Sequence, residues 1–90
     1  MTVDLRKEAR DRPCMVNVPN VCQGGTETTV LHHVRRNNPK IDQLGAWSCW
    51  KCHDWLHHQW VHTHTKEKRD LWELDAMFRT QRVLIQEGKL

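Results

Sequence analysis

Ninety residues are enough for one small domain, and the apolar core of a chain this size is marginal without further support. No apolar run is long enough to span a bilayer, and the opening MTVDLRKEARDRPC lacks the apolar stretch of a signal peptide, so the expected compartment is the cytoplasm. With 14 Lys and Arg against 11 Asp and Glu, the net charge is +3, which permits a nucleic-acid partner without requiring one.

The chain reads as one domain over residues 1–90, with a basic arm at 1–12, a central core at 13–64 and a C-terminal helix at 65–90. Residues 4–10 predict a short helix that ends before Pro13. Arg6, Lys7, Arg10 and Arg12 crowd this arm, although any one Lys or Arg taken alone is ordinary solvated charge. Residues 14–25 carry Pro19, Asn20 and the pair Gly24-Gly25, the composition of a compact knuckle. TTVLHHV at 28–34 is rich in β-branched residues and predicts a strand, broken by Asn37, Asn38 and Pro39. LGAWS at 44–48 predicts a second short strand, antiparallel to the first. A helix is expected from Cys49 or Trp50 to about Trp60. Over 66–86, Leu71, Leu74, Phe78 and Ile85 recur at helical spacing, with Met77 and Leu84 beside them. This helix is expected to lay that apolar stripe on the rest of the protein and to stop at Gly88.

Four cysteines suit either two disulfides or one metal site. In the reducing cytoplasm a cysteine pattern more often means metal. Cys49 and Cys52 form a C-x-x-C turn, which lets two thiolates face one ion, and no thioredoxin-like βαβ pattern accompanies it. Cys14 and Cys22, with seven residues between them, would complete a closed four-thiolate zinc site. Such a site has no open position, so its role would be structural: it would pin the N-terminal loop to the start of the central helix.

The histidines are then free for other work. Five of the seven lie in CWKCHDWLHHQWVHTH, which starts at Cys49. His53 and His57 are four residues apart, so on a helix they share a face and can bind one metal. His58 points elsewhere, and solvated side chains are the expectation for it and for His62 and His64. His32 and His33 end the first strand, where neighbouring side chains face opposite sides. One of the pair could ligate a metal while the other addresses a water or substrate.

A strand ending in a His pair, a loop, a second short strand and then C-x-x-C-H opening a helix is similar to the HNH, or ββα-metal, nuclease motif. More closely, RKEARDRPCMVNVPNVC, ETTVLHHVRR and LGAWSCWKCHD together resemble the small YbcO-like family found in phages and prophages and assigned as nucleases. The resemblance spans roughly residues 6–54 and, in outline, the C-terminal helix. It implies an α+β, zinc-stabilised ββα-metal fold and a metal-dependent endonuclease that hydrolyses DNA in phage or prophage DNA processing or recombination. It also implies a bacterial host cytoplasm as the setting. His33 falls on the general-base position, and His32 precedes it where many HNH proteins carry a metal ligand. His53 falls on the helix position that holds the catalytic metal, and His57 on the second helical histidine of His-rich members such as the colicin DNases. The four cysteines match the structural zinc of many HNH proteins. One departure stands out: no Asn occupies the loop before the C-x-x-C, where Asp42 is the available substitute and Asn37 and Asn38 come too early.

The chemistry of these residue types agrees with the resemblance. A neutral imidazole at His33 can take a proton from water at physiological pH. A divalent ion on His53, His57 and His32 would polarise a phosphate, and imidazole ligands favour Zn, Ni, Co or Mn over a pure Mg site. Arg35 or Arg36 could clamp a neighbouring phosphate, and Lys51, Arg10 and Arg12 could add salt-sensitive contacts to the DNA backbone. Two other readings compete: a catalytically inactive zinc module that binds nucleic acid, favoured by the missing Asn, and a zinc-stapled protein-interaction domain that uses exposed tryptophans among Trp50, Trp55, Trp60 and Trp72.

Overall fold

In the computed structural model, which describes residues 3–34 and 40–90, Asp4 opens the first element by capping it. Its carboxylate accepts hydrogen bonds from the backbone N–H groups of Arg6 and Lys7 at 3.1 and 3.2 Å. The helix so started, α1 (Leu5–Glu8), is a single turn that buries Leu5. Residues 14–25 then form a knuckle without regular structure, in which Asn17, Asn20, Gly24 and Gly25 take the left-handed backbone conformation. That conformation is open to glycine and tolerated by asparagine, which is why these residue types punctuate the loop.

Two strands follow, β1 (Val30–His33) and β2 (Gly45–Ser48), paired antiparallel in the register Val30↔Ser48, Leu31↔Trp47, His32↔Ala46 and His33↔Gly45. The first strand is shorter than its β-branched run. Thr29 spends its hydroxyl on the carbonyl of Arg12 instead. Gly45 gives Leu31 room: a Cβ there would meet Cδ1 of Leu31 at 2.6 Å and displace that side chain. A 3-10 turn, Asp42–Leu44, leads into β2, and the N–H of Val34 donates to the carbonyl of Leu44.

Helix α2 (Trp50–His57) starts at Cys49, whose sulfur accepts from the N–H of Cys52. It ends three residues before the expected Trp60, because the chain turns at His58 into a 3-10 segment, Gln59–His62. Helix α3 (Lys66–Gln86) has the expected bounds. Thr65 caps its start, and Gly88, at φ 73°, ends it in a left-handed turn that lets Lys89 N–H reach the carbonyl of Leu84 at 2.8 Å.

All four β2 residues are buried, and the strand separates two apolar clusters. Ala46 joins Cys14, Val16, Val18, Cys49, Cys52, Trp55, Leu56 and Ala76 on one side. Trp47 joins Leu5, Ala9 and Leu84 on the other. The period-2 alternation of a strand thus divides one short chain between two small cores.

The face that α3 turns inward corrects the expectation from its apolar spacing. Its buried residues are Glu73, Ala76, Met77, Thr80 and Leu84, whereas Leu71, Phe78 and Ile85 are 57%, 58% and 60% exposed. The cause is close approach. Small Ala76 and Thr80 let the helix come against β2, where the N–H of Trp47 donates to Oγ1 of Thr80 at 3.0 Å. A polar residue with a fixed partner is cheap to bury, so two polar side chains share the inner face with Met77 and Leu84, while Leu71, Phe78 and Ile85 face solvent.

The last residues return to the first. Both terminal nitrogens of Arg12 reach the carboxylate of Glu87 at 2.6 Å, and Lys89 reaches Glu8 at 2.7 Å. No helix among the described residues is long and apolar enough to cross a membrane.

Candidate functional site

The C-x-x-C turn at the start of α2 brings Cys49 and Cys52 under the N-terminal knuckle, which supplies Cys14 and Cys22. The four sulfurs all lie within 4.8 Å of one another, with Cys22 and Cys49 3.9 Å apart. Four thiolates bound at about 2.3 Å to a tetrahedral ion would sit roughly 3.8 Å from each other, so the spacing suits one such ion. Backbone N–H groups already point at the sulfurs, from Asn17 to Cys14 at 3.5 Å and from Gln23 to Cys49 at 3.4 Å. Cys14 is pushed down to about 4 by the hydrogen bond from the Cys52 thiol, and Cys52 is pushed up by the same contact. A thiolate in a cluster ringed by N–H donors is the ligand form that a metal needs. All four cysteines are free, and the cluster could bind a structural metal such as zinc.

A second cluster forms where the end of β1 meets α2. His32, His53 and His57 offer nitrogens within 4.8 Å of one another, and their ring centroids are 4.5 to 5.3 Å apart. Nδ1 of His32 lies 3.0 Å from Nδ1 of His53. His32 is fully buried, while His53 and His57 are half-buried, so the cluster opens to solvent from the helix side. The other nitrogen of His32, Nε2, sits 3.0 Å from Oε1 of Glu73 on α3, which is also fully buried. A carboxylate there can accept a hydrogen bond from Nε2–H, and in that tautomer Nδ1 offers its lone pair to the cluster. Arg69, one turn back, is 4.0 Å from the same carboxylate and donates to the carbonyl of Leu56.

His33, the next residue, looks the other way. Its Nε2 is 2.6 Å from Oδ1 of Asp42, and the same oxygen accepts from Nε of Arg6 at 3.3 Å. The His33 hydrogen bond, with Arg6 behind it, holds the Asp42 carboxyl below its ordinary range. The alternation expected of the strand end therefore holds, and it gives the two neighbours separate partners. A groove of about 430 Å³ runs past His33, with Arg6, Arg10 and Lys40 among its walls.

The other expected contact residues fall in several places. Arg10 joins this groove. Arg12 is engaged by Glu8 and Glu87, and its guanidinium lies 4.6 Å over the Trp47 ring. Lys51 lies in the first turn of α2, 5.8 Å from the ring centroid of exposed Trp50. Arg35 and Arg36 lie outside the described residues. His64 packs on Trp55 at 5.0 Å and bonds Oγ1 of Thr63, away from the histidine cluster. The residue that sequence reasoning missed is Glu73. Its one signal is its place at helical spacing from Ala76, Met77, Thr80 and Leu84, on the face that the helix buries.

This arrangement can be set beside known proteins. A family model described as "Putative nuclease YbcO" matches residues 3–89. The "Putative nuclease YbcO" of Escherichia coli (strain K12) is 37% identical over 93 residues, covering 94% of each chain. The protein of the same description from Enterobacteria phage 82 matches equally, at 37% identity over 94% of each chain. A solved structure of a "putative bacteriophage protein" from Escherichia coli K-12 superposes with a TM-score of 0.80 at 35% identity, covering 94% of this chain and 100% of that one. A match of this length and identity places the chain in one family, and this protein belongs to the YbcO nuclease family.

Proposed function

We propose that this chain is a metal-dependent endonuclease of the HNH, or ββα-metal, type, and that it hydrolyses phosphodiester bonds of DNA. The observation that carries the reading is the sorting of two adjacent histidines. His32 joins His53 and His57 in a cluster of metal-ligand spacing, and His33, the next residue, turns to the other side of the strand end, bonded to a carboxylate and facing a basic groove. His32, His53 and His57 would hold the divalent ion, since neutral imidazoles suit Zn, Ni, Co or Mn and leave positions open. When bound, such an ion supplies Lewis-acid polarisation of the phosphate and stabilises charge on the leaving oxygen.

The remaining steps belong to the protein. Asp42 accepts the Nε2 proton of His33, which fixes the tautomer and leaves Nδ1 as the nitrogen that takes a proton from water. Arg6, held on Asp42, keeps that carboxylate charged and in place. Asp42 thereby does for the general base what a loop Asn does in the HNH pattern: it ties the loop to the histidine. Arg6, Arg10 and Lys40 give the groove the charge to seat the phosphates on either side of the cleaved bond. These contacts read backbone and not bases, so low sequence preference is expected.

The test is nicking of supercoiled plasmid by the zinc-loaded protein with Mg, Mn, Ni, Co and Zn in turn, beside His33→Ala. The wild type should cut with at least one ion. His33→Ala should lose about a hundredfold to ten-thousandfold in rate and keep its metal content. DNA binding without cleavage under every ion would replace this reading with that of an inactive nucleic-acid-binding module.

A further inference from the structure

The large apolar side chains of α3 that do not reach the core form a row of their own. Leu71, Phe78 and Ile85 are each more than half exposed, and half-buried Leu74 lies on the same side. Single exposed apolar residues are common on any surface. Four in one row on one helix are not, because a continuous apolar strip marks a contact surface. Their spacing is also specific. Steps of seven from Leu71 to Phe78 to Ile85, with Leu74 between the first two, make the seam by which one helix packs along another. The helix has 21 residues, or about 30 Å at 1.5 Å per residue, so the seam is two to three heptads long. Phe78 and Ile85 line a groove of about 680 Å³ on this outer face, with Asp75 and Arg82 among its walls.

We infer that this face pairs with the same face of a second copy of the chain, the two α3 helices running antiparallel. The charges beside the seam select that partner and that direction. Asp75 and Arg82 are seven residues apart, so they flank the apolar row on one edge. An antiparallel pair with its two-fold axis near Phe78 sets Leu71 against the partner's Ile85. It sets Asp75 beside the partner's Arg82, and symmetry repeats the ion pair. In an in-register parallel pair Asp75 and its counterpart would lie on opposite edges of the seam, as would the two Arg82 side chains, so neither charge would meet its complement. The surface is thus self-complementary in one orientation only. Glu73 and Thr80 point the opposite way, toward His32 and β2, so the paired face is not the one that carries the His32 contact. A seam this short sits at the small end of specific interfaces, and the expected dissociation constant is in the micromolar range.

The test is sedimentation of the zinc-loaded full chain from micromolar to near-millimolar concentration. Wild type should pass from the mass of one chain to that of two. Phe78→Glu should remain at one chain throughout with an unchanged circular dichroism spectrum, since Phe78 is exposed. Asp75→Arg and Arg82→Asp should each weaken association about tenfold or more, and the two together should restore it. A wild type that stays at one chain at every concentration overturns the inference and gives the face to a different protein. Association that ignores both charge changes overturns the antiparallel pairing.

Discussion

Glu73 and His32 are 41 residues apart in sequence and 3.0 Å apart in space, and neither exposes any side-chain surface. The pair links the last helix of the chain to the first strand. It also places a negative charge behind a candidate metal ligand, and such partners both orient an imidazole and raise its basicity. Glu73→Gln keeps the shape and removes the charge. The expected result is a roughly 10- to 100-fold loss of divalent-ion affinity at the histidine cluster, measured by titration calorimetry, with the thiol-bound metal unchanged. Unchanged affinity would reduce Glu73 to a packing role.

Asp42 holds His33 as Glu73 holds His32, but at the solvent-facing side of the strand. Asp42→Asn should lower kcat for plasmid nicking by about tenfold or more while metal content stays near wild type and KM rises by less, because the change acts first on the proposed base and only through Arg6 on the groove. An equal rise in KM with kcat intact would assign Asp42 to substrate binding instead.

The thiols of the candidate metal site also contribute to the core, since Cys14, Cys49 and Cys52 are buried among Val16, Val18, Trp55 and Leu56. A structural zinc is worth on the order of 10 kcal/mol of folding free energy in small domains. Removing the metal with a strong chelator, or making Cys52→Ser, should therefore unfold the chain, read as loss of the cooperative thermal transition by circular dichroism. A chain that keeps its melting temperature without metal would refute the staple.

The clamp between the chain ends has a defined acid limit. Arg12, helped by Lys89, holds Glu87 down at about 2, and Lys89 and Arg12 also lower Glu8. A carboxylate whose folded value is depressed stabilises the fold fully above its ordinary range and loses that contribution as pH falls through the folded value. The stability difference between wild type and Glu87→Gln should thus be constant above about pH 5 and vanish by about pH 2, followed by urea titration at each pH. A difference that grew on acidification would contradict this linkage.

What the sequence reveals of this protein follows from how local each feature is. The C-x-x-C turn, the i, i+4 pair His53 and His57, and the alternation at His32 and His33 are set by spacing along one element, so all three are legible from residue order alone. The bounds of α3 are equally local. Its inner face is not, because the choice between the Leu71–Phe78–Ile85 row and the Glu73–Ala76–Thr80 row depends on what β2 and His32 offer across the interface. Large apolar side chains mark the first row, and close packing with buried hydrogen bonds selects the second. Arg12 shows the same limit. It stands in a basic arm, yet Glu87, 75 residues later, takes both of its terminal nitrogens.

The order of these residues along the chain has a consequence in time. Cys14, Cys22, Cys49 and Cys52 leave the ribosome before Glu73, and Glu73 before Glu87, which grips Arg12. The thiol staple can close on a half-made chain while His32 still lacks its carboxylate. The candidate staple can thus form ahead of the candidate catalytic cluster, and an unfinished chain would be a fragment able to hold a metal but without its oriented histidine.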